Sequence, residues 1–236
     1  MIVPPLYVIA DAQVLAGRGV SLEDFARELR AAGVGLVQYR DKVGTPQEVL
    51  RAAAVLRGIL LEGDKPHDSD GEAVAIMGHP GPMLIMNDRA DLAVLAEFDG
   101  VHVGQGDLLP EDARRVVGVS RWVGVSTHTE EQVRVADPTS QMRDVGHPDR
   151  GHDYIAIGPV FATGTKADTE PVVGLDGVRQ ARALTTKPLV AIGGISRDNA
   201  RSVIDAGADS VAVISALLAR GESVEQVTRD FLELLR

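Results

Sequence analysis

Residues 158–168, "GPVFATGTKAD", bring Thr163, Gly164, Thr165, Lys166 and Asp168 together directly after the strand-like run "DYIAI". Glycine permits close backbone approach, threonine supplies a hydroxyl and lysine a point charge. These are the means of gripping a phosphate, though a plain polar turn draws on the same residue types. Similar residues recur behind other apolar runs. Gln38, Arg40, Asp41 and Lys42 follow "GLV"; Asn87 and Asp88 follow "MLIM"; Gln105 and Asp107 follow "GVHV"; Ser126 and His128 follow "WVGV". Three cations (Arg40, Lys42, Lys166) with two carboxylates (Asp88, Asp107) suit a diphosphate and Mg²⁺, an ion that takes one or two carboxylates and completes its shell with water and phosphate. Gly193-Gly194 after "LVAI", and Ile214-Ser215 at the end of "SVAVI", lead into expected helix starts, whose backbone N–H groups offer a second anion site.

These residues need elements that bring them together. Short β-branched runs alternate with helical stretches along the whole chain, the mark of a parallel sheet. Strands are expected at 6–10, 35–39, 83–86, 100–103, 122–125, 154–157, 189–192 and 210–214. Helix starts are legible at Thr45-Pro46-Gln47-Glu48, at Thr129 to Gln132 and at Ser21, with Ser196 and Ser223 as caps for the last two helices. Leu22, Phe25, Ala26 and Leu29 share one face of a helix that Gly33 ends, and Gly207 repeats that device. Eight such units in 236 residues predict a single (β/α)8 TIM barrel spanning 1–236. An open doubly wound sheet would leave edge strands, yet the terminal runs carry no internal charge or proline.

In a barrel, the residues after each strand meet at the C-terminal mouth. Asp11, Thr163 and Ser215 join the list there, and seven of the eight strands end in amide, hydroxyl or charged groups. Each residue alone has an ordinary explanation, such as a cap for Asp88 or a turn for Asp107, but their convergence marks a site. Strand alternation turns Asp41 away from the side that Gln38, Arg40 and Lys42 share. Two long segments, 62–82 and 143–152, fall between a helix and the next strand, hence on the opposite face; "EAVAIM" within the first is a candidate short helix. Their histidines, His67, His79, His147 and His152, read as solvated loop residues. His102 packs near the barrel, and His128 reaches the rim without an assigned role.

Composition narrows the partners. A formal charge of −10, with basic residues scattered, argues against nucleic acid, and 3% aromatic content against base stacking. There is no cysteine, which excludes disulfides and thiolate metal sites and makes a reducing cytoplasm the simplest setting. Neither a signal peptide nor a membrane helix is expected.

In order along the chain, "QYRDK", "MND", "GVHVGQGDL", "GVSTH", "GPVFATGTKAD", "VAIGGI" and "VAVISA" resemble the thiamine-phosphate synthase family, and the resemblance runs from "LYVIAD" to "ISALL". It implies a barrel that joins hydroxymethylpyrimidine diphosphate to thiazole phosphate with Mg²⁺. Position by position, it implies that Gln38, Arg40, Lys42, Asn87, Ser126 and Lys166 bind the pyrimidine diphosphate, with Tyr39 and Asp41 in the same segment. Asp88 and Asp107 match magnesium ligands. Thr163, Gly164, Thr165, Gly194, Ile214 and Ser215 match thiazole-phosphate contacts, and Arg40, Lys42, Ser126 and Lys166 carry catalysis. Ala162 stands where the family commonly has proline, and Ala10 where threonine is frequent. The competing readings are a thiazole tautomerase of the same fold, a Schiff-base aldolase using Lys166, and a non-catalytic phosphate-binding barrel. Homo-oligomer formation is left open.

Overall fold

Successive side chains on a strand point to opposite faces, so a sheet closed on itself must sort them into an inner and an outer set. A computed structural model of the chain describes residues 2–62, 81–137, 151–164 and 170–236. Its strands are β1 (Leu6–Asp11), β2 (Leu36–Arg40), β3 (Met83–Asn87), β4 (Gly100–Val103), β5 (Trp122–Thr127), β6 (Tyr154–Ile157), β7 (Leu189–Ile192) and β8 (Ser210–Val213). Each pairs in parallel with its sequence neighbour, and β8 returns to β1 through Leu6 opposite Val211. That ladder excludes the open sheet.

Around the barrel lie α1 (Ala12–Arg18), α2 (Leu22–Ala32), α3 (Pro46–Leu60), α4 (Ala90–Leu95), α5 (Pro110–Val117), α6 (Glu130–Ala136), α7 (Gly174–Leu184), α8 (Ala200–Asp205) and α9 (Val224–Leu234). Ser21, Thr45, Thr129 and Ser223 cap α2, α3, α6 and α9, with the full capping box at Thr45 and Glu48. Ser196 does not cap α8, contrary to the expectation. The chain turns there before the helix begins, and Asn199 Oδ1 accepts from the Ser196 amide at 2.9 Å. Among the described residues, no helix is long and apolar enough to cross a membrane. Most of 62–82 and 143–152, including the candidate helix at "EAVAIM", His67, His79 and His147, lies outside the described residues.

Sorting follows the two-residue period. Leu6, Val8 and Ala10 of β1 pack outward against the helices with Val37 and Tyr39 of β2, while Tyr7 and Ile9 join Leu36, Ile85, Trp122 and Tyr154 in the inner cluster. Glycine makes room where the interior is tightest: a Cβ on Gly124 would overlap the Tyr154 phenol. His152 is a correction. Rather than a solvated loop residue it is 2% exposed, because it sits at the approach to β6 and lines a recess with Leu109, Val125 and Ala136.

The N-terminal face is closed by a repeated device that the strand patterns do not reveal. Asp99, Asp153 and Asp209 immediately precede β4, β6 and β8. Each clasps one residue of the preceding strand: its amide donates to that residue's carbonyl and its carboxylate accepts from that residue's amide. The partners are Leu84, Val123 and Leu189, with all six bonds at 2.7–2.8 Å. Arg114 pairs with Asp153 and Arg182 with Asp209. Asp153→Ala breaks one clasp and leaves the Val123 amide and Arg114 without that carboxylate, so urea unfolding should show a loss of about 1–3 kcal/mol.

Candidate active site

Period-two sorting carries Gln38 and Arg40, and Lys42 just beyond the strand, to the C-terminal mouth. There they line a cavity of about 580 Å³ with Asn87, Asp88, Asp107 and Ser126. A second cavity of about 200 Å³ adjoins it, lined by Thr163, Gly193, Gly194, Ile214 and Ser215. The two share Ser126, His128, Ala156, Glu170, Ile192, Ala212 and Ile214, so they are lobes of one site.

The cations of the larger lobe are already positioned. Arg40 pairs with Asp11, whose side chain is 1% exposed and also caps α1 by accepting from the Val14 amide at 2.9 Å. A guanidinium has five N–H donors, so this pair leaves others for an incoming anion. Lys42 pairs with Asp88. Asn87 Nδ2 is buried among the described residues without a hydrogen-bond partner, a donor lacking its acceptor.

Tyr39 and Asp41, which the resemblance placed in the same segment, do not line this cavity. Tyr39 belongs to the outer cluster, and its hydroxyl donates to Asp41 at 3.4 Å. Asp41 instead builds the turn after β2, accepting from the Val43 and Gly44 amides at 3.0 and 2.9 Å and from Gln13 at 2.8 Å. Burial pushes its carboxyl up, but the Gly44 and Val43 amides and Gln13 outweigh that and hold it below the usual carboxylate range. Its role is to shape the loop that presents Lys42.

Asp88 and Asp107 face one another. Asp88 adopts φ 60°, a left-handed backbone that Asp tolerates better than most residues, with its amide bonded to the His102 carbonyl at 2.8 Å. Asp107 is oriented by the Gly104 amide at 2.9 Å. Burial and the Asp107 carboxyl raise Asp88 above its ordinary pKa. Burial acts on Asp107 as well, but bonding from Asp88 and Gly104 outweighs it and lowers Asp107. Two carboxylates facing one another at the mouth are a donor pair that would hold a divalent cation between them. Such a pair fits Mg²⁺, which takes one or two carboxylates and completes its shell with water and phosphate.

The smaller lobe has a backbone floor. Gly193 and Gly194 have φ 104° and 64°, and a Cβ on Gly194 would lie 2.6 Å from the Ala162 carbonyl oxygen. The expected helix N-terminus is not immediately behind them. The chain turns through Ser196–Asn199 before α8 begins at Ala200, and a short 3₁₀ turn, Ser215–Leu217, starts at this lobe. Gly164 is exposed and does not line the lobe. Thr165 and Lys166 lie outside the described residues. His128 and Glu170, to which the sequence assigned nothing, sit in the wall common to both lobes. His128 Nδ1 donates to the Gly158 carbonyl at 2.6 Å. A position two residues after Ser126 was the signal for His128; no pattern marks Glu170.

A family model described as thiamine monophosphate synthase matches residues 70–217. A thiamine-phosphate synthase of Koribacter versatilis is 47% identical over 234 residues, covering 98% of this chain and 96% of the relative. The chain belongs to the thiamine-phosphate synthase family. The synthase of Methanoregula boonei is 37% identical over 97% of this chain and 91% of its own. Thiamine phosphate pyrophosphorylase from Pyrococcus furiosus superposes with a TM-score of 0.75 at 28% identity, covering 98% and 95% of the two chains. In this thiamine-phosphate synthase, Asp11 is the residue that fixes the Arg40 guanidinium at the mouth. Asp11→Asn keeps an acceptor for the Val14 amide but removes the charge facing Arg40. The expected outcome is a loss of up to about 3 kcal/mol in denaturant unfolding.

Proposed function

We propose that the chain condenses 4-amino-2-methyl-5-(diphosphomethyl)pyrimidine with 4-methyl-5-(2-phosphoethyl)thiazole, releasing thiamine phosphate and pyrophosphate. The observation that carries this reading is the pair of joined lobes, one cationic with two carboxylates and one with a glycine floor, opening on a single mouth. A bisubstrate reaction between two phosphorylated partners needs two anion sites whose occupants touch.

In this reading Gln38, Arg40, Lys42, Asn87, Ser126 and Lys166 take the pyrimidine diphosphate. Thr163, Gly164, Thr165, Gly194, Ile214 and Ser215 take the thiazole phosphate. As the carbon–oxygen bond to the diphosphate breaks, the pyrimidine methylene becomes cationic, stabilised by the ring's amino group. The thiazole nitrogen across the shared wall then captures it. Arg40 and Lys42 meet the charge that collects on the departing diphosphate, and Asn87 Nδ2 donates to it. Because Asp11 has already set the guanidinium, little reorganisation is needed as charge moves, the arrangement that makes electrostatic stabilisation effective. Asp88 and Asp107 would hold Mg²⁺, which supplies Lewis-acid neutralisation of the leaving group. No strong general base is required. The absence of cysteine supports a cytoplasmic setting.

Mixing the protein with both substrates and Mg²⁺ should yield thiamine phosphate and pyrophosphate together, and EDTA should abolish both. Thiazole phosphate binding without products would instead support a tautomerase or a binding protein. Asp107→Asn and Lys166→Ala should each lower turnover by about 10²-fold or more with the fold intact by circular dichroism. Near-normal rates in both would refute the assignment.

A further inference from the structure

Five polar side chains from five strands form one unbroken hydrogen-bond chain across the barrel at the floor of the larger lobe, which Tyr7 and His102 also line. Gln38 Nε2 on β2 donates to Tyr7 Oη on β1 at 2.8 Å, and Tyr7 Oη meets Tyr154 Oη on β6 at 2.9 Å. Tyr154 Oη meets His102 Nδ1 on β4 at 3.0 Å, and His102 Nε2 meets Ser126 Oγ on β5 at 2.9 Å. Tyr7 and Tyr154 are each 1% exposed, Gln38 3% and His102 8%. The function above gives Tyr7, Tyr154 and His102 no role, yet the two ends of the chain, Gln38 and Ser126, both open into the larger lobe.

With the amide nitrogen of Gln38 turned to Tyr7, the first bond sets a direction for every proton that follows. A buried hydroxyl must use its single proton, since an unsatisfied one costs about 1–3 kcal/mol. Tyr7 accepts from an amide N–H of Gln38, so its own proton goes to Tyr154. Tyr154, accepting from Tyr7, gives its proton to His102 Nδ1. With Nδ1 accepting, a neutral imidazole carries its hydrogen on Nε2 and donates to Ser126. The Ser126 hydroxyl is then occupied as an acceptor, and its own proton is released toward the lobe. Burial keeps both phenols protonated, so the relay is not interrupted by a phenolate. In the opposite polarity Ser126 would spend its proton on Nε2 and present only lone pairs to an anion.

We infer that this chain holds His102 as the Nε2–H tautomer and thereby makes Ser126 a hydrogen-bond donor to the departing diphosphate, with Tyr7, Tyr154 and His102 as positioning residues. The inference rests on reading the larger lobe as the pyrimidine-diphosphate side. Its first test needs no turnover, so its failure is separable from failure of that reading.

That test is ¹⁵N NMR of histidine-labelled full-length protein without substrates, with His102 assigned by its loss in His102→Asn. The expected result is a protonated Nε2 and an unprotonated Nδ1. In Gln38→Glu a carboxylate can only accept, so each proton reverses and the unprotonated nitrogen becomes Nε2. Adding Tyr7→Phe to Gln38→Glu removes the link and should restore Nε2–H, whereas the through-space field of a carboxylate would persist. An Nδ1–H form in the unsubstituted protein, no reversal in Gln38→Glu, or a reversal that survives Tyr7→Phe would each overturn the inference. Should the buried carboxylate prevent folding, Tyr154→Phe removes only one oxygen. It should lower kcat about tenfold, the size of one hydrogen bond to a charged group, with the KM for thiazole phosphate unchanged. An unchanged kcat would also overturn it.

Discussion

A closed ring of parallel strands cannot slip by one residue at a single strand without turning that strand's side chains inside out. Everything at the mouth depends on this constraint. With β1 joined to both β2 and β8, the register of each strand is held from two sides. The three aspartate clasps tighten it further at the opposite end. Gln38 and Arg40 face inward because Val37 and Tyr39 are needed outward against the helices. The apolar layer thus decides which polar residues can meet, and the polar residues need only be the right types at the right parity.

The same parity explains what could be read from sequence. Strand positions, helix caps and barrel closure are properties of local pattern, and residue types behind each strand marked the mouth. Tyr39 and Asp41 were harder because they lie within the same run yet have the other parity, and Asp41 shapes the backbone of the turn after β2. His152 was misjudged because its burial comes from residues distant in sequence. The chain from Gln38 to Ser126 was invisible for a similar reason: its members lie on five strands, up to 147 positions apart between bonded neighbours. The clasping aspartates had a signal, an aspartate before every second late strand, but nothing in one strand shows which amide it holds.

Electrostatically the mouth is balanced before any ligand arrives. Arg40 is paired with Asp11 and Lys42 with Asp88, while Asp88 also faces Asp107. An anionic ligand therefore exchanges partners with groups already desolvated and oriented, instead of stripping water from isolated charges. This limits the penalty that burying lone ions would impose. It also reconciles an acidic protein, with a net charge of −10, with ligands that are themselves anions. The favourable field is local and is arranged by neighbouring carboxylates.

The wall shared by the two lobes has a further result. Ser126, His128, Ala156, Ile192 and Ile214 border both spaces, so no partition isolates one occupant from the other. A molecule made by linking the two occupants would fill both spaces while leaving its surroundings almost unchanged. The cavity that favours joining is thus also a mould of what has been joined. Departure is then the step for which the architecture offers least help.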